Sequence, residues 1–87
     1  MMKNSMKKDD RYYKTSDFPL ACYLSYSGLE LVGLDKTDPK RAIFSFRDTP
    51  ERELLVGDFL FRNPSVDVKK FLYTQKLLRT QLHNNYF

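Results

Sequence analysis

His83, Cys22 and the acid pairs Glu51/Glu53 and Asp35/Asp38 are the residues whose types could do chemistry in this 87-residue chain. A hydrolytic or transfer reaction needs a nucleophile beside a base, a carboxylate pair, or a metal with several ligands. His83 is the only histidine; near the end of a basic segment, a solvated cation at a helix C-terminus accounts for it without catalysis. Cys22 has no second cysteine to form a Cys-x-x-Cys zinc or redox pair, and its apolar surroundings in sequence mark a packed thiol. Glu51 and Glu53 are turned to different faces of a helix and complement its dipole where it starts. Asp35 and Asp38 flank a turn, where aspartates bond their own backbone. Gly28, Gly33 and Gly57 make no phosphate-cradling pattern. The expectation is a chain without catalytic residues, metal or cofactor.

Three surfaces remain for binding. The last segment carries Lys69, Lys70, Lys76, Arg79 and His83, a basic edge able to contact phosphates and displace their counterions. The same residues also read as an ordinary solvated helix face. Arg41, Ile43, Ser45 and Arg47 alternate along one strand, beside Tyr12 or Tyr13 if the first segment pairs there. Interleaved aromatic and basic groups suit single-stranded nucleic acid, although the wet face of an antiparallel sheet carries such residues by default. Tyr73 and Leu77, with Tyr86 and Phe87, form a candidate protein interface or a surface for self-association.

These residues need elements to place them. Tyr12 and Tyr13 give strand propensity to Arg11 to Thr15. Ser16 is the expected N-cap of a first helix that tolerates Pro19 in its first turn and stops at Gly28, a residue suited to the left-handed C′ position. Leu29 to Asp35 and Arg41 to Arg47 read as a hairpin around Asp38-Pro39, with Ala42, Phe44 and Phe46 on the core face. A second helix starts either with Asp48 capping and Glu51 completing a capping box, or with Thr49 capping and Pro50 at N1. It reaches Arg62, and its Leu54, Leu55, Val56, Phe59, Leu60 and Phe61 spread around the circumference, so it is expected to be heavily buried. After Asn63-Pro64-Ser65, Ser65 or Asp67 caps a third helix to His83. At about 100° per residue its Val68, Phe71, Leu72, Leu78 and Leu82 form the docking stripe, with Gln75 in their midst, and Tyr73 and Leu77 lie away from it. The predicted fold is a small α+β domain in the order β-α-β-β-α-α, with a two- or three-stranded, mostly antiparallel sheet under helices, over residues 11–87. Residues 1–10 read as a flexible tail.

Composition agrees with one small domain, at 41% hydrophobic and 30% charged residues. The net charge of +4 is carried at one end: from Arg62 to Phe87 there are five bases and one acid, while the remaining ten bases and ten acids cancel. A single cysteine, the absence of an apolar leader after Lys3, Lys7 and Lys8, and the lack of a spanning apolar run point to the cytoplasm and to no membrane partner.

The run KTSDFPLACYLSYSGLELVGLDKTDPKRAIFSFRDTPE resembles a family of small uncharacterised domains of bacteria and their phages. The likeness lies in an aromatic before Lys14-Thr15, the Leu20-Ala21 helix ending at Gly28, the Asp38-Pro39 turn and Phe44-x-Phe46, and extends through Val66 and Phe71 to the basic end of the last helix. Phe59 to Asn63 departs from it, being less polar than the family's usual helix end. The resemblance implies a phage or mobile-element setting within a bacterial host cell and transfers no site. Together these readings predict a non-catalytic module that contacts nucleic acid or a nucleoprotein complex through Lys69, Lys70, Lys76, Arg79, Arg41 and Arg47. The alternative is an adaptor or inhibitor of a host defence or replication protein, acting through Tyr73, Leu77, Tyr86 and Phe87.

Overall fold

The computed structural model describes residues 11–84. The chain runs β1 (Tyr12–Thr15), α1 (Phe18–Tyr26), β2 (Leu31–Asp35), β3 (Ile43–Arg47), α2 (Glu51–Phe61) and α3 (Val68–Asn84), the expected β-α-β-β-α-α order. The segment read as a tail, 1–10, and the candidate interface residues Tyr86 and Phe87 lie outside the described residues.

The sheet has three antiparallel strands in the order β1-β3-β2. Tyr13 and Leu31 flank Phe46, and Thr15 and Leu34 flank Phe44. Residues directly opposite share a face, so this set forms the inner surface. Leu31 and Leu34 are three apart yet both point inward, because the pairing slips by one residue between Leu31 and Gly33 and leaves Val32 as the extra residue of a bulge. The outer face carries Tyr12, Lys14, Ser45 and Arg47; thus Tyr12, not Tyr13, joins the Arg47 face.

α1 closes the inner face. Its N-cap is Asp17, one residue beyond the expected Ser16: the Asp17 carboxylate accepts from the Leu20 N–H at 3.1 Å, while the Thr15 hydroxyl accepts from the Asp17 N–H at 3.0 Å. At the other end Gly28 has φ 108°, a conformation that strains residues bearing a Cβ. There the Leu29 N–H reaches the Leu24 carbonyl at 3.0 Å and the Gly28 N–H the Ser25 carbonyl at 3.1 Å, the paired bonds of a Schellman end. Leu20 to Leu24 are all buried, as in a helix surrounded on every side. They form the core with Leu29, Leu34, Phe44, Phe46 and Leu78.

α2 corrects the sequence reading. None of its residues is buried: Leu55, Val56 and Phe59 lean on the core, whereas Leu54 is 60% and Phe61 83% exposed and Leu60 also faces solvent. Within the fold α2 docks on α1, and one cylinder covers only one arc of another. Neither capping scheme forms. Pro50 occupies the cap without a side-chain bond, and Asp48 holds the Arg52 guanidinium through both oxygens at 3.0 and 3.2 Å. α3 also docks on a narrower arc than its pattern predicts: Leu78 is buried, Phe71 and Leu82 pack beside it, but Val68 is 65% exposed and Leu72 is exposed too.

Candidate nucleic-acid interface

α3 is held at both ends. At its start the Asp67 carboxylate accepts from the Lys70 N–H at 3.3 Å, so of the two cap candidates it is Asp67 that bonds the first turn. The Asp67 N–H donates to the Tyr26 hydroxyl at 2.8 Å, and the Tyr26 ring meets Phe71 edge-on at 5.8 Å. At its end the Lys36 ammonium donates to the Leu82 carbonyl, drawing the β2–β3 loop against the last turn. Between these anchors Leu78 fills the core.

With Leu78 inward, helical geometry sends Lys69, Tyr73, Lys76, Thr80 and His83 to the opposite side, and all five are exposed. Lys70 and Arg79 flank this stripe. The Arg79 guanidinium stands 5.2 Å from the centre of the Phe18 ring, a cation–π contact that fixes its direction without neutralising its charge. Ion pairs among the described residues are Arg47–Glu30, Arg52–Asp48 and Arg62–Asp58, and none takes up Lys69, Lys70, Lys76 or Arg79.

A cleft opens at each end of the helix. The smaller, about 300 Å³, lies between the start of α3 and the end of α1 and is lined by Ser25, Tyr26, Lys69, Lys70, Tyr73 and Thr74. The larger, about 530 Å³, has Phe18, Phe44 and Leu82 in its floor and Lys36, Lys40, Arg41 and His83 around it. Arg41 therefore joins the end of α3. Arg47 does not: it lies at the far end of β3, opposite Tyr12, with its guanidinium 3.2 Å from Glu30. Leu77 is exposed four residues beyond Tyr73.

The loop cations Lys36 and Lys40 and the ring of Phe18 were not singled out by the pattern, though three bases within Lys36 to Arg41 were a local sign of a basic loop. Tyr26 gave no such sign, because its contact with Asp67 spans 41 residues.

Three of the residues whose types could do chemistry, Cys22, Asp35 and Asp38, have structural surroundings that account for them. Cys22 is buried, and desolvation pushes its thiol up to about 11 against the opposing pull of Arg79. Hydrogen bonding from Thr37, first by its side chain and then by its backbone N–H at 2.9 Å, holds the Asp35 carboxyl below the usual value. Asp38 accepts from the Lys40 N–H at 2.9 Å. Among the described residues no three His, Cys, Asp or Glu side chains gather as metal ligands, and no helix is long and apolar enough to cross a membrane.

Residues 10–84 match a protein family described as Domain of unknown function (DUF5659). No curated protein and no solved structure matches the chain.

Proposed function

The chain belongs to the DUF5659 family, and we propose that it is a non-catalytic binding module that contacts nucleic acid, or a complex processing it, through α3 and the adjoining β2–β3 loop. The observation that carries this reading is that Lys69, Lys70, Lys76 and Arg79 have no carboxylate partner among the described residues, while each ion pair formed there lies elsewhere. A cation already paired has little net charge to offer a phosphate; an unpaired one releases a condensed counterion when it binds. Arg41, Lys36 and Lys40 outnumber Asp38, the acid lining the same cleft, and extend the positive surface around the end of the helix. The resemblance to domains of bacteria and phages makes a mobile-element setting in a bacterial cytoplasm part of the same proposal.

Fluorescence anisotropy with labelled oligonucleotides across a salt series tests it. Affinity that falls steeply with salt is expected; no binding at the lowest salt contradicts it.

A second reading, a protein-binding adaptor or inhibitor of a host protein, is favoured by the outward-facing Tyr73 and Leu77. On that reading, exchange of both for polar residues abolishes capture of the partner without moving the thermal midpoint.

A further inference from the structure

We infer that the strand held by α3 is single, with an unpaired base stacked on Tyr73 and the adjoining phosphates on Lys69 and Lys76; this rests on the nucleic-acid reading above and narrows it. Tyr73 is 64% exposed, and its ring takes no part in the aromatic pairs Phe18–Phe44, Tyr23–Phe59 and Tyr26–Phe71 or in the two cation–π contacts among the described residues. It therefore does little for the fold. Its position relative to the cations is specific: Lys69 precedes it by four residues and Lys76 follows by three, so both are its neighbours on the helix surface. The two lysines are about 10 Å apart along the axis, one on each side of the ring.

The cleft beside Tyr73 supplies the remaining chemistry. Tyr26 forms part of its wall, Ser25 and Thr74 bring hydroxyls, and Lys70 adds a second ammonium beside Lys69. An aromatic wall edged by hydroxyl donors and acceptors suits a flat heterocycle with polar edges, and neighbouring ammonium groups suit its phosphates. A duplex presents phosphates to such a helix but keeps its base faces stacked inside, so it has no use for the ring. A single strand uses both, because every unpaired base has a face to stack. The ring between the cations is what distinguishes the two ligands.

The test compares one mixed-sequence oligonucleotide as a single strand and as a duplex, against the unaltered chain, Tyr73→Phe, Tyr73→Leu and Tyr73→Ala. Loss of the ring in Tyr73→Ala is expected to weaken single-strand binding about tenfold or more, with Tyr73→Leu close to it, Tyr73→Phe near the unaltered chain and duplex binding changed less than about twofold. Thermal midpoints of all three variants close to that of the unaltered chain show that the fold is intact. Equal losses for single strand and duplex, or unchanged single-strand affinity in Tyr73→Ala, overturn the inference while leaving the α3 interface standing. If the unaltered chain binds neither oligonucleotide, the underlying reading fails and this one with it.

Discussion

The backbone N–H of Asp67 donates to the hydroxyl of Tyr26 at 2.8 Å, tying the first turn of α3 to the last turn of α1 across 41 residues of sequence. Tyr26→Phe keeps the ring edge against Phe71 but removes the acceptor. It is expected to cost about 0.5–1.5 kcal/mol in chemical denaturation, the usual net worth of one such bond. An unchanged denaturation midpoint would show that α3 is placed by packing alone.

The strand and turn elements were readable because their signals are local. Alternation of Phe44 and Phe46 with Ile43 and Ser45 sets the core face of β3, and Gly28 marks the end of α1 through its own backbone. Burial of helix faces was not readable in the same way. Leu54, Leu60 and Phe61 are as apolar as Leu55 and Phe59, and only the area of α1 available to cover them decides which are inside. In a chain this short that area runs out. The same limit leaves Val68 and Leu72 outside. The candidate site was half legible: the cations of α3 follow from the sequence, but the approach of Arg41 to its end, and the separation of Arg47 from it, depend on long-range packing.

The difference between core and periphery gives a paired prediction. Phe46 is fully buried and Phe61 is 83% exposed. Phe46→Ala is expected to destabilise by about 3–5 kcal/mol, and Phe61→Ala by no more than about 0.5 kcal/mol. Equilibrium denaturation of the two variants checks both; a loss of similar size in Phe61→Ala would place α2 in the core after all.

Cys22 makes stability depend on alkaline pH. Its thiol has a folded value of about 11 against 9.0 for a solvated cysteine, so the folded state favours the protonated form. The contribution is complete below pH 9, declines as the unfolded chain ionises above it, and levels off once pH passes about 11. Thermal midpoints of the unaltered chain and Cys22→Ala, followed from pH 7 to the alkaline limit, are expected to converge across that window. Parallel curves would mean that the thiol ionises equally in both states. At neutral pH the same burial predicts that alkylating reagents modify Cys22 only on unfolding.

Arg52 joins α2 to the sheet, with its guanidinium 4.5 Å from the centre of the Tyr13 ring and both Asp48 oxygens on its donors. Arg52→Lys keeps the charge but loses the fork and the planar stack. A loss of about 1 kcal/mol is expected, against a smaller loss for Arg62→Lys, whose exposed pair with Asp58 spans only the last turn of α2 and its C-cap. Equal effects would show that the stack on Tyr13 contributes nothing.

The central claim is that the cations of α3, unpaired among the described residues, meet phosphates. Its most direct test is the slope of log K against log salt for a single-stranded oligonucleotide, measured for the unaltered chain and for the triple variant Lys69→Gln, Lys70→Gln, Lys76→Gln. Each lost phosphate contact on a single strand lowers the steepness by about 0.7. The account therefore predicts weaker binding with a slope shallower by about 2; an affinity and slope indistinguishable from those of the unaltered chain would contradict it.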